Sequence, residues 1–183
     1  KVNRREFKNN TINYTRNGTL KNRHKSLAVT KNAFSINTKY SPKILNKFHG
    51  ERMNLRFDKN ENGESENVFK FLVSSTNYRF EFSHFTLLNN ESGSVSSYIM
   101  TSFDKYSDDY GSNAVHAYLT NRNISIMSHI HSHPYKPTAE APDPHQPSDA
   151  DIDFRNYING KIGTKALFGV YHAGKLTDYS NEQ

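Results

Sequence analysis

The sequence predicts one α/β or α+β domain preceded by a basic, polar N-terminal extension, and three observations predict it. The chain has 183 residues, which suits one domain and is enough to bury a real core. Stretches with the two-residue alternation of strands are interleaved with stretches of helical spacing. Residues 1–40, by contrast, are rich in Asn, Lys and Thr and show little periodicity. No stretch repeats another.

Along the chain, residues 1–40 read as an extension with one short strand at Leu27–Val29, and residues 41–183 read as the domain. "SPKILNKFHG" (41–50) reads as a short helix. Ser41 suits the N-cap, Pro42 the first helical position and Gly50 the exit. "NLRF" (54–57) is a strand and "DKNENGE" (58–64) is turn chemistry. "ESENVFKFLVSSTN" (64–77) is a second helix, with Val68, Phe69, Phe71 and Leu72 as its apolar stripe. "YRFEFSHFTLL" (78–88) carries the strongest strand signal, and a turn at Asn89–Gly93 leads into the strand "SVSSYIMTS" (94–102). A loop over "DKYSDDYGSN" precedes a short helix near Ala114–Leu119. "ISIMSHIHSHP" (124–134) is a third strand, ended by Pro134. "YKPTAEAPDPHQP" (135–147) is too rich in proline for regular structure. "SDADIDFRNYING" (148–160) is a helix with Gly160 at its exit, and "KALFGVYH", Gly174 and "KLTDY" make a closing hairpin.

Composition narrows the function. With 34% hydrophobic residues and a mean hydropathy of −0.86 the chain is polar, and its 12 Phe and 11 Tyr must supply much of the core. No apolar run is long enough to span a membrane. The net charge is +6, and much of the excess lies in "KVNRREFKNN" and "KNRHKSLAVTK". That reads as a solvated basic surface, because no RNA-binding signature or Gly-rich phosphate loop accompanies it. The absence of cysteine excludes disulfides, thiolate zinc sites and a Cys nucleophile. The chain opens on Lys1 without a signal-peptide h-region, so a piece of a longer polypeptide is expected.

Three of the nine histidines, His129, His131 and His133, stand at alternate positions just before Pro134. On a strand they point the same way. Two neutral imidazoles two residues apart can reach one metal ion, and imidazole suits Zn²⁺, which in catalytic sites takes three protein ligands and a water. Surface or strand-capping histidines are the structural alternative. "PSDAD" (147–151) offers a third ligand. Ser148 with Asp151 has the spacing of a capping box, and the same helix start would return Asp151 toward the histidines as an anionic ligand. Asp149 and Asp153 are neighbouring alternatives. Glu81 stands between Phe80 and Phe82 in an otherwise apolar strand. It either faces solvent or pairs with a Lys, or it is a desolvated general base with a raised pKa.

His131-Ser132-His133-Pro134 followed by Ser148-x-x-Asp151 resembles the JAMM/MPN metalloprotease motif: a distant Glu, then His-(Ser/Thr)-His-Pro, then Ser-x-x-Asp. Within that superfamily the chain is most similar to the JAB-like toxin domains at the C-termini of bacterial polymorphic toxins. "STNYRFEFSH" matches their Glu-bearing strand and puts the family's Glu at Glu81. "YIMTSFDKY" and "FGVYHAGKLTDY" match a Thr-Ser strand and a terminal tyrosine-rich hairpin. The resemblance covers roughly residues 50–181. The spacer between His133 and Ser148 has 14 residues against the family's seven, a length the toxin branch tolerates.

The resemblance implies an α/β fold, a mixed β-sheet flanked by helices in a layout related to the cytidine deaminases. It implies Zn²⁺ held by His131, His133 and Asp151, Glu81 as the general base, and Ser148 as donor to a developing oxyanion. His129 and His145 are not carried over as ligands. The implied activity is amide or isopeptide hydrolysis of a protein or peptide. The implied setting is a toxin domain on a larger secreted carrier, delivered into the cytoplasm of a rival cell and matched by a cognate immunity protein. Nucleic acid is not an expected partner, and no membrane segment is expected. A cysteine-dependent deaminase is excluded by composition, and the 50 residues after His133 are too few for a barrel hydrolase. A metal-dependent nuclease toxin and a catalytically inactive binding module of the same fold are the rival functions.

Overall fold

The computed structural model describes residues 6–7, 12–15, 19–21, 26–28, 35–36, 53–58, 63–102, 111, 113–115, 123–134, 143–162 and 166–181. Strands β1 (Glu6–Phe7), β2 (Ile12–Thr15), β3 (Thr19–Lys21) and β4 (Ser26–Ala28) form an antiparallel four-stranded sheet in chain order. The second sheet has seven strands. They are β5 (Ser35–Ile36), β6 (Met53–Phe57), β7 (Ser83–Asn89), β8 (Val95–Thr101), β9 (Ile124–Ser132), β10 (Leu167–His172) and β11 (Lys175–Asp178), in the spatial order β11-β10-β9-β7-β8-β6-β5. Helix α1 (Glu64–Ser75) precedes β7, and helix α2 (Asp149–Ile162) joins β9 to β10. β9 and β10 run parallel and the other neighbours are antiparallel, so the sheet is mixed. A parallel pair needs a crossover connection, and α2 supplies it.

Alternation along the strands divides the core into two layers. On one face, Leu55, Phe57, Ile99, Ile130 and Tyr171 pack with Val68, Phe69, Leu72 and Val73 of α1. On the other, Phe85, Leu87, Tyr98, Met100, Ile126, Phe168 and Val170 pack with Ile158 of α2 and with Ala114 and Val115. The expected architecture, a mixed sheet flanked by helices, is the one observed. The aromatic-rich composition is explained as well: Phe57, Phe69, Phe82, Phe85, Phe168 and Tyr179 are among the largest fully buried side chains.

Several elements differ from expectation. The strand expected over 78–88 begins only at Ser83. Residues 76–78 are taken up by the exit of α1, where Asn77 and Tyr78 adopt φ of 55° and 53° and the Tyr78 N–H bonds Val73 O at 3.2 Å. Left-handed residues cannot continue a strand. α2 continues past Gly160 to Ile162. The strand expected at Leu27–Val29 coincides with β4, but the same region also carries β1–β3, and β5 forms an edge of the main sheet. Strands of two to four residues are too short to show a period. Leu27 packs against the α1-side layer. The helix expected at 41–50, most of the loop after Asp104 and residues 135–142 lie outside the described residues. Of the helix near Ala114–Leu119, Ala114 and Val115 are described, helical and buried. Among the described residues no helix is long and apolar enough to cross a membrane.

Candidate metal centre

The site is built where β9 ends against the start of α2. β9 is central, paired with β7 on one side and β10 on the other, and its last four residues, His129 to Ser132, are buried. Ser83 pairs with His131 and Phe85 with His129, and Phe85 belongs to the α2-side layer. The alternate histidines therefore all project toward α2. His129, His131 and His133 are 2%, 4% and 5% exposed, which removes the surface-histidine reading. The His129 and His131 rings stack at 5.7 Å, and the His131 and His133 centroids are 4.8 Å apart.

α2 brings the acid. The carbonyl of Ser148 accepts the N–H groups of Asp151 (3.0 Å) and Ile152 (3.1 Å), so Ser148 is the N-cap and Asp151 the third helical residue. The Asp151 carboxylate folds back on the cap: its Oδ2 accepts from both Ser148 N–H and Ser148 Oγ–H, each at 2.7 Å. The capping box is real. The same carboxylate also lies 3.1 Å from His131 Nε2 through Oδ1 and 3.2 Å from His133 Nε2 through Oδ2. The two Nε2 atoms are 3.0 Å apart. Capping and convergence on the histidines, which the sequence posed as alternatives, are thus one arrangement: the cap fixes the rotamer that presents the carboxylate.

Burial alone would raise the Asp151 carboxyl, but the charge of His131 and hydrogen bonds from His131 and His133 outweigh it and hold the carboxyl well below its usual range. Burial also lowers His133, against the opposing hydrogen bond to Asp151, and pushes His129 down to about 3. The site is therefore an anionic oxygen beside imidazoles, with burial opposing the charged form at His129 and His133. Two ring nitrogens at 3.0 Å can share at most one proton between them, whereas a cation would accept lone pairs from both and from the carboxylate. The ligand atoms of His131, His133 and Asp151 lie within 4.8 Å of one another. This donor set fits a metal ion that favours nitrogen and oxygen ligands. Asp149 and Asp153, the alternative acids, are exposed.

Comparison with known proteins agrees with this geometry. The family model described as JAB-like toxin 1 matches residues 57–156, more than half of the chain, from the end of β6 into α2. The chain belongs to the JAB-like toxin 1 family. No curated protein and no solved structure gives a significant match. The match makes the chain a toxin domain, and it takes in Glu81, the three converging groups and Ser148.

In this JAB-like toxin domain Glu81 stands outside the converging group. It is half-buried and two residues before Ser83, the register partner of His131. Phe80 and Phe82 on either side of it belong to the α1-side layer. His129 lies behind His131, its Nε2 2.9 Å from Ser83 Oγ and its ring against Phe154. His145 packs edge-on against His172 at 4.9 Å. Sequence reasoning passed over His172, whose Nδ1 donates to the carbonyl of His133 at 3.1 Å. His172 follows directly on the parallel pairing of Tyr171 with Ser132, which brings it level with His133, a relation that no local sequence pattern carries.

Proposed function

We propose that this toxin domain is a zinc-dependent metalloprotease that hydrolyses an amide or isopeptide bond. The observation that supports it best is the convergence of His131 Nε2, His133 Nε2 and the Asp151 carboxylate where β9 ends against the start of α2. His131, His133 and Asp151 would hold the ion. When bound, Zn²⁺ supplies Lewis acidity, acidifying water and polarising a carbonyl. Glu81 takes the proton of the attacking water as the C–O bond forms, then delivers it to the departing amine as the C–N bond breaks. Ser148 donates its hydroxyl hydrogen to the developing oxyanion. That hydrogen now rests on Asp151 Oδ2. Asp151 keeps the Ser148 backbone N–H when the hydroxyl turns away.

In this reading the substrate is a protein or peptide of a rival cell's cytoplasm, reached by delivery on a larger secreted carrier. The producing cell is protected by a cognate immunity protein. The +6 charge needs no nucleic-acid partner, because much of it lies in the first 31 residues, without a nucleic-acid-binding signature.

Glu81→Gln tests the proposal. Gln is nearly isosteric but cannot take the proton, and general acid–base catalysis contributes about 10²–10⁴-fold. Cells expressing the wild-type chain should arrest, and cells expressing Glu81→Gln should grow, with metal content and melting temperature unchanged. A folded, metal-loaded and fully toxic Glu81→Gln would falsify the role of Glu81.

A further inference from the structure

The peptide unit joining Glu81 to Phe82 is gripped from both sides by side-chain hydroxyls. Thr101, the last residue of β8, donates Oγ1–H to the Glu81 carbonyl at 2.6 Å. Ser132, the last residue of β9, accepts the Phe82 N–H on its Oγ at 3.0 Å, while its own N–H donates to Phe82 O at 2.9 Å. β8 and β9 are the two strands that flank β7. Both hydroxyl residues are wholly buried, at 0% exposure. Burying a hydroxyl is unfavourable unless it is hydrogen-bonded, and here each is bonded to the same peptide unit.

The location gives the grip its meaning. β7 begins at Ser83, so Glu81 and Phe82 lie just before the regular ladder. The preceding segment leaves α1 through the left-handed Asn77 and Tyr78. Phe80 and Phe82 anchor the segment in the α1-side layer, and the lateral bonds set the orientation of the peptide unit between them. The two hydroxyls fix the rotations on either side of the peptide unit, and with them the direction in which the Glu81 side chain leaves the backbone. A proton-transferring carboxylate needs such support, since a displacement of about 1 Å in a reacting group lowers rates by about 10²-fold.

We propose that Thr101 and Ser132 are positioning residues for Glu81, their hydroxyls holding the Glu81–Phe82 peptide unit so that the carboxylate is aimed at the metal centre. This rests on the reading of Glu81 as the base. It gives Ser132 a function separate from those of the two histidines beside it. The ligands face α2, and the residue between them reaches sideways to the backbone of the base.

The test compares Thr101→Val and Ser132→Ala with the hydroxyl-keeping Thr101→Ser and Ser132→Thr, and with Glu81→Gln, all in the full chain. Four readouts are taken: exchange of the Phe82 amide proton by NMR, zinc content, melting temperature and growth arrest on graded expression. Removing the Ser132 hydroxyl should speed Phe82 exchange. Removing either hydroxyl should raise the expression needed for half-maximal arrest by about ten- to hundred-fold, with zinc content unchanged. The hydroxyl-keeping variants should restore arrest, a result that a purely structural role would not give once melting temperatures are matched. Thr101→Val preserves side-chain shape and carries the test should Ser132→Ala lose the fold. Wild-type arrest by Thr101→Val and Ser132→Ala, beside an inactive Glu81→Gln, would overturn the positioning role alone. An active Glu81→Gln would instead remove the base, and the proposal with it.

Discussion

Asp151→Asn separates the two duties of one side chain. Asp151 Oδ2 receives two hydrogen bonds from Ser148 at 2.7 Å, and Oδ1 faces His131 Nε2 at 3.1 Å. An asparagine can place its oxygen where Oδ2 lies and keep the cap. Its amide nitrogen then falls where Oδ1 lies, beside His131 Nε2. Without metal the substitution loses the favourable charge at a helix N-terminus, about 0.3–1 kcal/mol, together with the attraction between the carboxylate and the two histidines that holds its pKa down. In a chain of this size about 1 kcal/mol moves the melting temperature by about 2–4 °C, so in a chelator the variant should melt several degrees below wild type. With zinc at about 1,000 times its Kd, linkage adds about 4.1 kcal/mol to the wild type, or about 8–16 °C. The variant, lacking the anionic ligand, should show less than half of that rise. Calorimetric melts of both chains in chelator and at fixed free zinc give all four numbers. An equal zinc-induced rise in both would refute Asp151 as a ligand. A fall of more than about 10 °C in chelator would show that the carboxylate serves mainly the fold.

His84 carries a pH prediction. It is buried, its Nε2 lies 2.9 Å from Ser65 Oγ, and burial lowers its pKa to about 4. Its folded pKa lies below the unfolded value, so its contribution is whole above about pH 6.5 and is lost as pH falls toward 4. Each shifted proton gives a slope of about 1.4 kcal/mol per pH unit. Chelator-treated His84→Gln should lose about that much slope between pH 6.5 and 4 in denaturant titrations, and an unchanged slope would assign the effect elsewhere. Removing residues 1–40 deletes β1–β5 and the Leu27 contact; the leucine, of which only part is buried, accounts for less than about 1.5–3 kcal/mol. The shortened chain should stay soluble and bind zinc, and an insoluble or metal-free product would make the extension part of the domain.

The sequence was most legible where local chemistry and tertiary role coincide. His131 and His133 could be read because a strand period puts them on one face and Pro134 marks the strand end. Asp151 could be read because a capping box is a local pattern, and the cap also delivers its carboxylate. β7 starts later than expected because Tyr78, an ordinary side chain for a strand, turns left-handed together with Asn77. The partnerships of Ser83 with His129, Ser132 with Phe82 and His172 with His133 span 46, 50 and 39 residues. No periodicity within one segment encodes such pairs, which exist only once the strand order is set. The short strands β1–β3 and β5 escaped for the opposite reason: each is local but too brief to repeat.

Zinc stoichiometry tests the central claim most directly. Elemental analysis of the purified chain, beside the His131→Ala/His133→Ala double variant prepared identically, should give about one zinc per wild-type chain and almost none in the variant. Equal zinc in the two preparations would contradict the metal centre and the hydrolytic reading built on it.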